Sequence, residues 1–173
     1  MPSSGAAELG ALVTDAMAAI NLEASPVEGF EGVMTARVSG TVGTWSIFAE
    51  PLAEPRGVLV YSVLPWRVQD ARRAAVAELL TRANYLLRFG DVEMDFSDGE
   101  VRARTSVRGG PEAPTLPVVA EVLMANVEVA ELLFPAIKEV ASGLCGPSDA
   151  VDGLLRRLAG GATGAAADGA GAQ

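Results

Sequence analysis

The sequence contains no histidine and only one cysteine among its 173 residues. Histidine is the usual general base and the commonest transition-metal ligand near neutral pH, so its absence removes the most frequent route to both. The single thiol, Cys145, cannot form an intramolecular disulfide and cannot by itself build a zinc or iron–sulfur site. We therefore predict no cofactor, although a magnesium or calcium site made only of carboxylates stays open; the acidic cluster Asp91-Val-Glu-Met-Asp95 with Asp98 lacks the EF-hand pattern. We interpret Cys145 as a small structural thiol just beyond the end of a helix.

Long hydrophobic runs are also missing. The longest nearly uninterrupted apolar stretch runs from Gly57 to Trp66, which is about half of the ~20 residues that a membrane-spanning helix needs. The first residues carry no basic leader, and Glu8 and Asp15 interrupt their apolar character, so we expect no secretory signal peptide. These features predict a cytoplasmic protein with no membrane association.

Basic residues are few. The chain has 22 acidic and 13 basic residues and a net charge of −9. Nucleic-acid binding needs a concentrated basic surface, so direct binding of nucleic acid is not expected. Only Arg102, Arg104 and Arg108 form a candidate basic stripe, and we expect acidic residues opposite them.

Hydrophobic periodicity predicts an α+β fold, in which helices pack on one side of an antiparallel sheet in the order α-β-β-β-α-β-β-α. We expect residues 1–158 to form one domain and residues 159–173, which are rich in alanine and glycine, to form a flexible tail. A long helix is expected to begin after Thr115 and to end before Gly143, with a kink about one turn before Pro135 and, as a further alternative, a break near Asn126. The earlier predicted elements are a helix over Ala7–Leu22, strands over Val33–Val38, Val42–Ala49 and Gly57–Leu64, a helix from Pro65 to about Asn84–Leu87, and a hairpin; a short helix over Ser148–Leu158 follows the long one.

The hairpin is predicted to turn on Asp98 and Gly99, because an Asp-Gly pair between alternating runs favours a two-residue turn. That turn fixes which residues face each other across the hairpin. On the apolar side the expected pairs are Phe96 with Val101, Met94 with Ala103 and Val92 with Thr105. On the other side they are Asp95 with Arg102 and Glu93 with Arg104.

Three stretches around this hairpin resemble the YbjN domain family of bacteria: Leu79-Leu80-Thr-Arg-Ala-Asn84-Tyr85, Gly90-Asp-Val-Glu-Met-Asp95 and Asp98-Gly99-Glu100-Val-Arg102-Ala-Arg104-Thr105. The resemblance covers about residues 58–142. It implies the fold of type III secretion chaperones, a homodimer, no enzymatic activity, and either chaperone-like binding of protein clients or a regulatory role in stress responses. The shared motifs have structural roles: Asn84 caps a helix end, Gly90 starts a strand and Asp98-Gly99 forms the turn.

We predict a non-enzymatic, homodimeric, chaperone-like protein-binding module. Trp45 is the strongest individual candidate for contact with a client, because large aromatic side chains are enriched at interface hot spots. The candidate protein-binding residues are Leu9, Val13, Met17, Met34, Trp45, Ile47 and Phe48. The candidate dimer interface joins the middle helix and the hairpin through Val68, Ala75, Leu79, Met94 and Phe96. In both sets the alternative is that the same residues belong to the core.

Two other functions remain open from the sequence. A small-molecule-sensing regulatory domain would need converging polar groups, for which Arg37, Tyr61 and Arg88 are the candidates. An enzyme could use Glu93 and Asp95 as paired carboxylates. Arginines opposite both would lower their pKa values, however, which favours structural salt bridges over a general acid.

Overall fold

The predicted order of elements is confirmed, with one short strand added. The computed structural model describes residues 4–41, 43–110 and 112–164. The helices are α1 (Ser4–Ala19), α2 (Asp70–Asn84), α3 (Leu116–Ala141) and α4 (Pro147–Gly164), and the strands are β1 (Ser25–Pro26), β2 (Met34–Gly40), β3 (Gly43–Leu52), β4 (Gly57–Val63), β5 (Asp91–Met94) and β6 (Val101–Arg108). Helix α4 continues to Gly164, six residues into the segment expected to be a tail. Residues 165–173 of that segment lie outside the described residues.

The six strands form one antiparallel sheet in the order β1-β2-β3-β4-β6-β5. Helices α1 and α3 pack on one face of it, and α2 and α4 pack beside α3. The position of β4 in the middle of the sheet accounts for its apolar sequence. Val58 and Val60 are fully buried beneath the helices, while Leu59, Tyr61 and Val63 are half-buried on the opposite face. No described element covers that opposite face.

Trp45 on β3 anchors the core between the sheet and α3. Its indole ring meets Phe134 of α3 edge to face, with the ring centroids 5.6 Å apart. Its Nε1–H donates a hydrogen bond of 2.9 Å to the hydroxyl of Ser62, which is fully buried on β4. A buried tryptophan needs such an acceptor because its N–H would otherwise lose its hydrogen bond to water.

Helix α3 runs without interruption through Asn126, so the predicted break there is wrong. The Asn126 side chain is fully buried and faces the sheet. Its amide donates to the carbonyl oxygens of Val60 and Ala103, at 3.2 Å each. The hydroxyl of Thr105 also donates to the Val122 carbonyl of α3, at 3.0 Å. These polar contacts fix α3 across β4 and β6 instead of interrupting it.

The predicted hairpin register is wrong by two residues. The observed partners are Met94 with Val101, Val92 with Ala103, Glu93 with Arg102, and Asp91 with Arg104. The cause is the Asp95 side chain, whose carboxylate accepts hydrogen bonds from the Ser97 N–H at 2.7 Å and the Ser97 hydroxyl at 2.6 Å. This Asx turn starts the reversal before Asp98, and the Asp95 N–H then bonds the Glu100 carbonyl at 2.9 Å. Because the shift is two residues, the side chains within β5 and β6 keep their predicted faces, whereas Phe96 lies exposed in the turn instead of facing Val101.

The turn of the hairpin docks on the segment that precedes α2. The Val68 N–H donates to the Gly99 carbonyl at 2.8 Å, and the Leu64 N–H donates to the Val101 carbonyl at 2.9 Å. Arg73 reaches back from α2 to the Phe96 carbonyl at 2.8 Å. These contacts hold the segment extended, which is why α2 begins at Asp70 and not at Pro65 as predicted.

The register can be tested with a double-mutant cycle. We expect a coupling of about 0.2–1 kcal/mol between Glu93 and Arg102, whose side chains are 2.6 Å apart, because both are partly exposed. Asp95 and Arg102, which the two-residue turn would pair, should show a weaker coupling, because the Asp95 carboxylate is held in the turn by Ser97. Urea unfolding of the single and double alanine variants gives both values, and coupling confined to the second pair would contradict the observed register.

Candidate protein-binding surfaces

Five of the seven predicted protein-binding residues lie in the core. Leu9, Val13 and Met17 of α1 and Trp45 and Ile47 of β3 are buried between the helices and the sheet. In this conformation they offer no surface to a partner. Met34 and Phe48 are half-buried, and Phe48 belongs to the uncovered face of the sheet. The binding role of these residues stays a prediction.

The five predicted dimer residues do not form one surface. Val68 and Leu79 are buried, Ala75 and Met94 are half-buried, and Phe96 is exposed in the hairpin turn. The apolar stripe of α2 packs against α3 and α4 of the same chain. Helix α4, predicted as a short helix, thus covers part of the apolar stripe of α2, for which the sequence analysis proposed contact with a second copy. The dimer role of these residues also stays a prediction.

The uncovered face of the sheet carries an apolar centre with neutralised arginines beside it. Phe48 and Tyr61 are neighbours on β3 and β4. The Arg102 guanidinium lies over the Tyr61 ring, 4.2 Å from its centroid, and pairs with Glu93. Arg104 pairs with Asp91 at 3.7 Å; burial raises the pKa of Asp91 more than Arg104 lowers it. The arginine stripe therefore faces acidic residues, as predicted, although the partners differ.

Asn84 occupies the outer edge of β5 at Val92. Its side-chain amide donates to the Val92 carbonyl at 3.0 Å, and its side-chain carbonyl accepts from the Val92 N–H at 2.9 Å. The side chain thereby takes the place of a neighbouring strand and satisfies both backbone groups of Val92. Asn84 therefore ties the end of α2 to the sheet, which is a different structural role from the predicted cap.

The opposite edge of the sheet, along β2, is open over most of its length. Strand β1 pairs with β2 only at Met34 and Thr35. Just before β2, the Val33 carbonyl accepts a hydrogen bond from the Val27 N–H at 2.9 Å. The odd-numbered residues of β2 therefore direct their backbone N–H and C=O groups away from β3. Since that direction alternates along an antiparallel strand, Arg37 and Ser39 present their N–H and C=O groups at the edge. No described strand pairs with them.

A groove of about 710 Å³ lies beside this open edge. We call it the β2 groove; its lining residues are Ala19, Ile20, Asn21, Leu22, Arg37, Val38, Ser39, Met124, Val127 and Glu128. Met124 of α3 is 50% exposed there, which is high for a long apolar side chain. The sequence analysis missed the groove because its walls come from three separate segments, and its only sequence signal is that the apolar residues of α3 exceed one helical face.

A second pocket, of about 500 Å³, lies between the connection from α2 to β5 and the middle of α3. We call it the Phe89 pocket; its lining residues are Leu86, Leu87, Arg88, Phe89, Ala125, Glu128, Val129, Leu132 and Leu158. Phe89 itself is 77% exposed, and the nearby Tyr85 is 91% exposed. Exposed aromatic side chains beside an apolar pocket are typical of an interaction surface.

The polar residues proposed for the alternative functions lie apart. Arg37 lines the β2 groove, Tyr61 lies under Arg102 on the uncovered sheet face, and Arg88 lines the Phe89 pocket. Glu93 is paired with Arg102, whereas Asp95 is held in the turn by Ser97, and those hydrogen bonds lower the pKa of Asp95. The two carboxylates thus have separate structural partners.

Cys145 is half-buried near Glu139, with 3.9 Å between its sulfur and the carboxylate. Burial and then the nearby negative charges raise the pKa of the thiol, which makes it less reactive at neutral pH.

Within residues 4–41, 43–110 and 112–164, no group of three or more potential metal ligands occurs. Among the helices that the structure describes, none has the length and apolar character needed to cross a membrane.

A comparison with protein families identifies the chain's relatives. The model of the YbjN family, described as "Putative bacterial sensory transduction regulator", matches residues 10–139. The chain belongs to the YbjN family. The match includes the whole sheet, α2 and nearly all of α3, and it confirms the resemblance carried by the helix end and the hairpin. Comparisons with curated proteins and with solved structures found no match.

Proposed function

We propose that this YbjN-family protein is a non-enzymatic bacterial regulator that acts as a homodimer and binds an extended segment of a client protein at the β2 edge. The observation that carries the proposal is the position of the outward backbone groups of Arg37 and Ser39 beside the apolar β2 groove. The family description supports a regulatory role. Binding of an unfolded segment is the chaperone-like part of the proposal.

Strand addition explains both features of the site. An incoming strand would pair with the N–H and C=O groups of Arg37 and Ser39. Such main-chain hydrogen bonds contribute affinity that does not depend on the sequence of the partner. Alternate side chains of a strand point to opposite faces. Those on the helical side would enter the β2 groove and contact Ile20, Met124 and Val127.

The groove also defines the chemistry of the preferred segment. Its walls are mostly aliphatic, and its charged residues, Arg37 and Glu128, make no ion pair with a described residue. A segment with alternating aliphatic residues and at least one charged residue matches these walls. The β2 edge is the better receptor for such a segment, because at the β5 edge the backbone groups of Val92 already have partners in Asn84.

The substitution Ser39→Pro tests strand addition. Proline removes the outward N–H and blocks pairing at the edge, but it should be tolerated because edge positions accept proline. The matched control is Ser39→Ala, which alters the side chain and keeps the N–H. A peptide selected from a displayed random library against the full chain, measured by fluorescence anisotropy, should bind Ser39→Pro at least about tenfold more weakly, the loss expected for about 1.4 kcal/mol.

Equal binding of the peptide by the proline and alanine variants would contradict strand addition at Ser39. Circular dichroism of both variants must first show an unchanged fold. If Ser39→Pro does not fold, Arg37→Pro with Arg37→Ala repeats the comparison at the other outward-facing residue.

The alternative is a small-molecule-sensing regulatory domain. The observation in its favour is the volume of the β2 groove, about 710 Å³, which lies within the usual range for small-ligand sites. Filling the groove by Met124→Trp should then abolish thermal stabilisation by a ligand found in a metabolite library. Stabilisation by a metabolite that Ser39→Pro leaves unchanged would favour sensing over strand addition.

A further inference from the structure

We propose that the homodimer forms through the Phe89 pocket, with Phe89 of each copy inserted into the pocket of the other copy. The inference rests on the homodimer of the proposed function. Its surface adjoins the client site, because Glu128 lines both the Phe89 pocket and the β2 groove. It replaces the α2 stripe as the dimer interface, because α3 and α4 of the same chain already contact that stripe.

The surface has both an exposed aromatic side chain and, beside it, an apolar pocket that could accept one. Phe89 projects from the connection between α2 and β5 with 77% of its surface exposed. Beside it, Leu87, Val129 and Leu132 line a volume of about 500 Å³. A phenylalanine left in water beside an apolar pocket of this size is the arrangement expected of an interface anchor, since aromatic side chains that fill pockets dominate binding energy.

The charges at the pocket indicate that the occupant is a second copy. Arg88 and Glu128 both line it, and neither makes an ion pair with a described residue. Arg88 lies in the connection between α2 and β5, and Glu128 lies on α3. In the proposed dimer, a two-fold axis beside the pocket would place Arg88 of each copy against Glu128 of the other. A surface that carries its own complementary charge satisfies the requirement of an isologous interface.

Neighbouring exposed residues extend the apolar surface. Tyr85 is 91% exposed at the end of α2, and Leu158 of α4 is 44% exposed at the rim of the pocket. Leu158 adds apolar area to the pocket that a second copy would remove from water. Single apolar side chains on a surface are normal, whereas a group of them around a pocket indicates a partner.

The test uses sedimentation velocity of the full chain over a concentration series from about 0.1 to 100 μM, which brackets micromolar dissociation constants. Phe89→Ala should weaken the dimer by about 30-fold, the loss typical of a buried aromatic hot spot. The matched control is Phe96→Ala, which removes an exposed phenylalanine from the hairpin turn of the interface predicted from the sequence and should leave dimerisation unchanged.

Charge reversal gives a second, independent arm. Arg88→Glu and Glu128→Arg should each weaken the dimer, because each brings like charges together across the two-fold axis. The double variant Arg88→Glu/Glu128→Arg restores opposite charges and should recover dimerisation. This recovery separates a true contact from a folding defect, which a second substitution would not repair.

Three outcomes would overturn the inference: a wild-type chain that stays monomeric throughout the series, a dimer weakened by Phe96→Ala but not by Phe89→Ala, or charge reversals without recovery in the double variant. The failure of client binding would look different. Phe89 and Arg88 do not line the β2 groove, so a dimerisation-defective Phe89→Ala chain should still bind the selected peptide, and Ser39→Pro should still dimerise.

Discussion

Replacing Trp45 by alanine is expected to lower the free energy of unfolding by about 3–5 kcal/mol. The substitution removes a buried indole that packs on Phe134 and leaves a cavity between β3 and α3. It also removes the donor to the buried Ser62 hydroxyl. Since domains of this size are stabilised by only about 5–15 kcal/mol, the loss is a large share of the total. Urea or thermal unfolding followed by circular dichroism measures it.

Phe48→Ala is the matched control for Trp45→Ala. Phe48 lies on the same strand, three residues away, but on the uncovered face of the sheet, where it is half-buried. Its loss should lower the free energy of unfolding by about 1 kcal/mol, since only part of its area is removed from water. If both substitutions had similar small effects, Trp45 would not be an anchor of the core. A client-binding defect in Trp45→Ala would accordingly report unfolding and not a lost contact.

Gly99→Ala is expected to destabilise the protein by about 2–4 kcal/mol, the sum of a backbone penalty near 1 kcal/mol and overpacking of 1–3 kcal/mol. Gly99 has φ +78°, and a Cβ there would lie 2.1 Å from the Val68 carbonyl oxygen. The turn would have to withdraw from the segment before α2, which would break the bond between the Val68 N–H and the Gly99 carbonyl. Equilibrium unfolding in urea gives the change in free energy.

Two other glycines separate the two contributions. Gly29 has φ +82°, but a Cβ at this position would have no neighbouring atom within 4 Å, so Gly29→Ala should show only the backbone penalty of about 1 kcal/mol. Gly110 has open space and no positive φ, so Gly110→Ala should be neutral or slightly stabilising. Equal effects at Gly99 and Gly29 would mean that the turn does not dock on Val68.

Local sequence patterns were sufficient for the order of elements and for the side-chain faces. Trp45 and Ile47 alternate with Ser46 and Phe48, and the structure buries the first two. The hairpin register was not predictable from Asp98-Gly99 alone, because the Asp95 side chain competes by forming its own turn with Ser97. Two turn signals lay within four residues, and their relative strength depended on the docking of Gly99 against Val68.

The candidate sites depended on tertiary structure. The open edge at Arg37 and Ser39 arises because β1 is only two residues long, a fact that no property of β2 itself reveals. The stripe of α2 was correctly identified as apolar, but amphipathicity does not state whether α4 or a second copy contacts it. Phe89 had no periodic context in the sequence, since it lies in a connection between elements.

The most direct test of client binding is the hydrogen exchange of individual backbone amides by NMR, with and without the selected peptide. In the free chain, the amides of Arg37 and Ser39 should exchange faster than that of Val38, which faces β3. Bound peptide should slow the exchange of Arg37 and Ser39 specifically. Strand addition at the β2 edge would be contradicted if both amides were already as protected as Val38 in the free chain, or if the peptide protected other residues and left these two unchanged.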